Sequence, residues 1–309
     1  MINASLIRHQ AIRALVFILA TSLAGFGSVI GTFDRSFQVN GPVDLEVLTR
    51  SGDIAVRNGA AGTVSIHTKI HSSTSWLGGD HKAEVQELQN NPPIRQNGNS
   101  IRIDYVHLSN ISFDYEITVP ENTAIRTHTG SGDQTVEGLK GNVDLESGSG
   151  DLKLARLTGE MRFQTGSGNV RGHELSGPAR VKAGSGDIEI EEMGAGDVDI
   201  RTGSGNITVN GINGGFRAEA GSGDIHGKGS PKNMRSVRTG SGNVALHVPS
   251  DAAFDVDISS HSGNVTLGHP VTTTIEGRVR ESRKSVVGKV HGGGPLISVH
   301  TGSGDVQVN

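Results

Sequence analysis

Gly130-Ser131-Gly132-Asp133 returns, as Gly-Ser-Gly followed by Asp or Asn, at Gly148–Asp151, Gly166–Asn169, Gly184–Asp187, Gly203–Asn206, Gly221–Asp224 and Gly240–Asn243. A worn copy, His261-Ser262-Gly263-Asn264, follows, and a full copy stands at Gly302–Asp305. Successive Asp or Asn positions from 133 to 243 are separated by 18, 18, 18, 19, 18 and 19 residues. That period is too short for a domain and suits one turn of a solenoid.

The residues around each copy say what the turn joins. Before it come apolar residues spaced by two, as in Val143/Leu145, Met161/Phe163, Val198/Ile200 and Phe216/Ala218; after it come Leu152/Leu154, Ile188/Ile190, Ile207/Val209 and Val244/Leu246. Period two is the strand period. A third apolar position lies six residues past the Asp or Asn, at Leu139, Leu157, Leu175, Met193 and Ile212, and in most coils a Gly follows, as at Gly141, Gly159, Gly177 and Gly214. Each coil therefore reads strand, Gly-Ser-Gly turn, strand, Gly turn. Stacked copies pair every strand with its equivalent in the next coil, so the expected fold is all-β: a parallel β-helix or β-roll solenoid with 18–19-residue coils. The general handedness of parallel crossovers favours a right-handed or roll-like coil. A six-residue grid through Leu139, Leu145, Leu157 and Phe163 puts Asp151, Asn169 and Asp187 at every third inward position, where polar groups do not belong.

Working outward, residues 125–309 read as the repeat domain, with an insertion near 270–294 where the period breaks. Residues 33–124 read as an atypical N-terminal module capping the open strand edges of the array. It holds strand patterns at Phe37–Val39, Val43–Val47, Ile54–Val56 and Val64–Ile70, and an imperfect turn at Thr49–Asp53 suggests coils before residue 60. It also holds the single short helix expected, Asp80–Gln89, with Asp80 as N-cap and Asn90-Asn91-Pro92-Pro93 as its stop. Residues 1–24 read as a signal peptide: Arg8 and Arg13, an apolar run over Ala14–Ala20, and Ser22-Leu23-Ala24 as cleavage site. The rival is an uncleaved anchor, but Thr21, Ser22, Ser28 and interspersed Gly and Ala dilute the span.

Composition narrows the functions. The chain has 309 residues, 45 Gly, 4% aromatic residues, no Cys and a net charge of −4. High Gly with few large side chains suits a thin repetitive core. Absence of Cys excludes disulfides, thiol nucleophiles and Cys metal sites, and the near-neutral, mixed charge lacks the basic footprint of a nucleic-acid binder.

The Asx positions, Asp133, Asp151, Asn169, Asp187, Asn206, Asp224, Asn243, Asn264 and Asp305, form a structural turn ladder in this reading: Gly supplies special backbone angles, and the Asx side chain bonds its own turn. A calcium ladder is the competing chemistry, since Gly-rich β-rolls bind calcium in their turns. Here Asn replaces Asp in about half the coils and the opposite turn carries no regular carboxylate, whereas a hard cation needs several oxygens. In chain order only Asp133 and Asp151 put carboxylates in neighbouring coils, so the Asp/Asn alternation is expected to limit self-repulsion. A carbohydrate-active enzyme on a β-helix would need acids gathered on one face. Glu189, Glu191 and Glu192 cluster, as do Asp255 and Asp257, but strand alternation explains both as solvent faces. His67 and His71 share a strand face without a third metal ligand nearby. No catalytic residues and no cofactor are assigned. Arg278, Arg280, Arg283, Lys284 and Lys289 make the insertion a candidate binding loop, with a solvated basic loop as the bland alternative.

Phe33-Asp34-Arg35-Ser36-Phe37, Gly41–Val47, Asn91-Pro92-Pro93-Ile94, Tyr115–Pro120, the Thr-Gly-Ser-Gly-Asp coils, Gly292-Gly293-Gly294-Pro295 and Thr301–Asp305 together resemble the bacterial putative-adhesin family of unknown function, a DUF-type adhesin domain. The resemblance covers nearly all of the chain after the leader. It implies exported β-helical proteins, some tied to cell-envelope stress, with no defined catalytic residues. The expectation is an exported, non-enzymatic solenoid in the periplasm, on the outer surface or secreted, acting as adhesin or scaffold toward an envelope component, glycan or surface protein. The runner-up is an envelope-stress component binding a peptide or protein through the capping module or basic loop. Contact with a membrane is expected only through an uncleaved leader.

Overall fold

A computed structural model of the chain describes residues 28–72, 82–108, 110–230, 233–272 and 284–309. The leader with its cleavage site, the cap Asp80, and Arg278, Arg280 and Arg283 lie outside the described residues.

The fold is a two-sheet solenoid. One sheet has 13 strands and the other 14, mostly parallel. In each repeat the strand before the Gly-Ser-Gly turn joins the larger sheet and the strand after it joins the smaller. Register is exact to the residue across most coils: Val143–Ser149 pairs with Met161–Ser167 so that Leu145 faces Phe163 and Ser149 faces Ser167. Alternate side chains point inward, and Leu145, Phe163, Val181, Ile200 and Ala218 form one buried column of the core. Column volumes compensate. At Gly172 and Gly227 the interior lacks a side chain, and a Cβ there would lie 2.7 Å from Leu175 Cδ1 and 2.8 Å from Leu246 Cδ2, because these larger neighbours already fill the space.

The turn spelling follows from stacking. Gly132 has φ 143°, and a Cβ on it would sit 2.1 Å from the carbonyl oxygen of Gly52 in the adjacent coil. Both the backbone angle and the approach of the next rung therefore demand glycine.

The first coil precedes the regular repeats. Val43–Ser51 pairs with Thr123–Ser131, and Ile54–Asn58 with Gln134–Glu137, so Ser51-Gly52-Asp53 stacks directly on the turn at 131–133. Beyond it the smaller sheet continues with Ile111–Val119, then antiparallel Thr63–Ser72 and, at the edge, Ser28–Gln38, and the larger with the hairpin Ile94–Asn97/Ser100–Ile103. The helix spans Lys82–Asn90, ends before Pro92-Pro93, and buries Val85 against Ser28–Gln38.

The structure departs from the sequence reading at two places in the array. Met193 is 67% exposed, and Glu192 takes the inward place opposite Leu175, because the ladder shifts register between Gly172 and Leu175. The pairing offset falls from 18 to 17 residues at this shift and is 19 from Ala179–Val198 onward, so the extra residue of this coil lies in the turn between Glu192 and Val198. At the far end, chain order is not spatial order: Leu296–Ser303 lies between Asn233–Ser241 and Phe254–Ser262, and Val306–Val308 between Val244–His247 and Val265–Leu267. The last coil of the chain is the penultimate coil of the stack. The insertion supplies Ser285–Val290, antiparallel to Phe254–Ser262, and Val271–Thr272 beyond it at the edge.

Candidate binding surfaces

The Asx side chains form a chain of hydrogen bonds running between coils, which corrects the expectation that each bonds its own turn. The Asp133 N–H donates to Asp53 Oδ1 at 2.8 Å, Asp151 N–H to Asp133 Oδ1 at 2.9 Å, and Asn169 N–H to Asp151 Oδ1 at 2.8 Å. Asp187, Asn206, Asp224 and Asn243 continue the pattern, each amide donating to the Oδ1 one coil back. Asp305 then donates to Asn243 at 2.9 Å and Asn264 to Asp305 at 2.8 Å, following spatial order. The reason is geometric: parallel stacking brings the equivalent N–H within reach of Oδ1, so one acceptor per coil satisfies one turn amide. Asp and Asn offer the same acceptor, which explains their exchange.

The ladder is longer and more acidic at its start than chain order implied. Asp53 N–H donates to Asp114 Oδ1 at 2.9 Å, so Asp114, Asp53, Asp133 and Asp151 occupy four consecutive rungs. Asp133 and Asp151 are therefore not the only neighbouring carboxylates. Lys153 Nζ lies 3.1 Å from Asp133 Oδ2, and Arg171 3.7 Å from Asp151 Oδ2, which offsets part of the repulsion. Burial pushes the Asp53 carboxyl above its ordinary value; the Asp133 amide opposes this, and the charges of Asp114 and Asp133 reinforce it.

Just inside the same turns runs a second ladder that the sequence reading missed. Thr165 Oγ1 donates to Gly150 O at 3.1 Å, Thr239 to Gly223 O at 3.0 Å, Thr301 to Gly242 O at 2.9 Å and Ser260 to Gly304 O at 2.8 Å. The signal was legible: Thr or Ser precedes most Gly-Ser-Gly copies, at a position whose strand parity points inward. Farther in, buried Gln134 donates to Glu146 O at 2.8 Å and Thr127 bonds its side-chain oxygen.

The other candidates separate. His67 Nδ1 contacts Asp34 Oδ1 at 2.7 Å, and His71 Nε2 contacts Asp114 Oδ2 at 2.7 Å, so the two histidines engage different acids. Among the described residues no group of three or more His, Asp or Glu is placed to hold a metal ion. Glu189 and Glu191 are exposed, whereas Glu192 is buried with Oε1 accepting from Gly177 N–H at 3.1 Å and Gly194 N–H at 3.0 Å. Burial raises its carboxyl above the ordinary value. Asp255 accepts from Gly294 N–H at 3.2 Å. Of the basic loop, Lys284 Nζ donates to His261 O at 3.1 Å and Lys289 stands opposite Asp255 in the antiparallel pair.

The broadest surface is the outer face of the 14-stranded sheet. Two outward columns run along it, one through Glu46, Arg126, Asp144, Arg162, Arg180, Asp199 and Arg217, the other through His128, Glu146, Gln164, Lys182, Arg201 and Glu219. At several rungs opposite charges meet, as in Arg126–Asp144 at 3.8 Å and Arg201–Glu219 at 3.6 Å, and His128 Nδ1 lies 3.2 Å from Glu146. No helix among the described residues is long and apolar enough to cross a membrane.

Solved structures similar to the chain include a pair of adhesion-related proteins. One is a putative cell adhesion protein from Clostridium sporogenes ATCC 15579, 12% identical, with a TM-score of 0.21, covering 90% of this chain and 99% of that one. The other is a putative adhesin from Bacteroides fragilis NCTC 9343, 12% identical, with a TM-score of 0.41, covering 92% and 100%. Among curated proteins nothing matches. The Toastrack DUF4097 family matches residues 38–173 and 116–309, from the first coil to the last, and the chain belongs to that family.

Proposed function

We propose that the protein is an exported, non-enzymatic β-solenoid that serves as an adhesion or scaffold surface at the bacterial cell envelope. The observation that carries this reading is the outer face of the larger sheet, where exposed charged side chains recur at every coil on a backbone fixed by the stacked turn ladders. Such an array presents recurring contacts along one face. Export is supported by the charged, apolar and small-residue pattern of residues 1–24. Intact-mass measurement on protein from the native cell should find a chain lacking this segment; a species still beginning at Met1 overturns export. Incubated with an array of envelope glycans and surface proteins, the protein should retain a ligand without releasing product. Product release would make it an enzyme.

A second reading, a sensing component that captures a peptide or protein, is favoured by exposed Val29 and Ile30 on the edge strand Ser28–Gln38. A changed envelope-stress response on deletion, with no loss of surface binding, would select it.

A further inference from the structure

The charge complementarity of the larger sheet fails in its middle; the other facing cations, Arg95 and Arg102 at its start, engage Asp104 and Glu46. Arg162 stands directly opposite Arg180 in the neighbouring strand, and Lys182 opposite Arg201. Like charges facing one another across a ladder destabilise it. Other rungs of these columns hold ion pairs, as at Arg126–Asp144 and Arg201–Glu219. Arg180 reaches one acid, exposed Glu160, at 3.9 Å, while Arg201 is shared between Asp199 at 3.4 Å and Glu219 at 3.6 Å. No acidic partner stands within ion-pair distance of Arg162 or Lys182 among the described residues. These side chains, with Gln164 and Asp199, surround a cleft of about 240 Å³. The lining holds four cations and one carboxylate; Glu160 and Glu219 offset Arg180 and Arg201, and Asp144 stands opposite Arg162 in the strand on its other side, so the excess positive charge centres on Lys182, which faces Gln164 and Arg201.

We propose that this cleft binds an acidic polysaccharide carrying a carboxylate on its sugar residues. Two arginine forks match carboxylate geometry bidentately. The acceptor oxygens of Asp199 and Gln164 suit sugar hydroxyls, which donate hydrogen bonds that a bare anion cannot. Successive cation rungs are spaced by the strand separation of about 4.8 Å, so a chain with charges at sugar-length intervals can meet more than one rung. Other polyanions fit less well. The cleft presents no exposed aromatic ring on which nucleic-acid bases could stack. Its exposed side chains are polar, so it offers nothing to insert into a lipid surface. An acidic peptide would find no free strand edge, because both neighbours of each strand here are paired. The inference deepens the adhesion reading and rests on it.

The test is direct binding of the full chain to fluorescent oligogalacturonate, at low and raised salt, beside neutral dextran, polyglutamate, single-stranded DNA and anionic vesicles. Oligogalacturonate should bind best and weaken with salt. The triple variant Arg162→Gln, Arg180→Gln, Lys182→Gln should bind about tenfold or more weakly, the equivalent of losing 1.4 kcal/mol or more. Its melting temperature should hold or rise as the facing cations are removed. Lys228→Gln, on the opposite sheet, should leave binding unchanged. The proposal is overturned by no binding of oligogalacturonate, by full binding in the triple variant, or by equal or tighter binding of any comparison ligand. Adhesion to intact cells is measured in parallel: if wild type and triple variant adhere alike, this cleft assignment falls while the adhesion reading stands, and if wild type does not adhere the broader reading falls.

Discussion

Asp53 carries two opposed effects that substitutions separate. Its Oδ1 satisfies the Asp133 amide, while its charge sits between Asp114 and Asp133. Asp53→Asn keeps an acceptor and removes the charge, so at neutral pH it should stabilise the protein by less than about 1 kcal/mol, the scale of exposed charge interactions. Asp53→Ala leaves the amide without its acceptor and should cost about 1–2 kcal/mol. The pH sign follows from the raised carboxyl: its folded-state pKa lies above the unfolded value of 3.8, so the folded chain holds this proton more tightly. Protonation therefore contributes stability that is fully present below the unfolded value and lost as pH rises through the folded one. Denaturation followed against pH should show the Asn variant's advantage at neutral pH closing as pH falls into the carboxylate range. An advantage that persists unchanged in acid would show that charge is not its source.

Leu175 and Met193 test the coil in which the register shifts. Both occupy the third apolar position of their repeats, yet Leu175 is buried and Met193 exposed. Leu175→Ala should cost about 2–5 kcal/mol, as buried leucine truncations do. Met193→Lys should lie within about 0.5 kcal/mol of wild type. Urea titration of both variants checks the contrast, and a large loss at Met193 would place that side chain inside the stack. The terminal coil makes a second prediction at this scale. Because Leu296–Ser303 and Val306–Val308 are inner strands, removing residues 296–309 takes away the partners of Phe254–Ser262 and Val265–Leu267 on that side. Amides of 254–267 should lose most of their hydrogen-exchange protection in the truncated chain, while those of 143–209 keep theirs, as nearest-neighbour stacking requires. Retained protection at 254–267 would mean that this coil docks on its own.

At the scale of the whole molecule the stack sets shape. Thirteen strands at about 4.8 Å spacing give a body about 60 Å along the axis. Small-angle scattering should return an elongated particle, and circular dichroism a β spectrum with a trace of helix matching Lys82–Asn90, the one helix among the described residues. A compact particle or strong helical signal would contradict the solenoid.

The repeat itself carried the architecture. Gly-Ser-Gly-Asx at a constant interval, with apolar residues at period two on either side, determines a stacked parallel coil, because only equivalent strands pairing with one another bury every Val, Ile and Leu of the pattern. The helix was legible for the same local reason, an apolar stripe stopped by Pro92-Pro93. Three features needed the tertiary structure. The order of rungs at the end is set by which strand edge the last segment finds, and no local pattern in Thr301–Asp305 distinguishes one edge from the next. The partner of each Asx oxygen lies a coil away, outside the reach of turn rules that consider one chain segment. The cationic cleft joins Arg162, Arg180, Lys182 and Arg201 from three strands. In the chain these residues stand about one period apart among acids, and stacking brings them face to face.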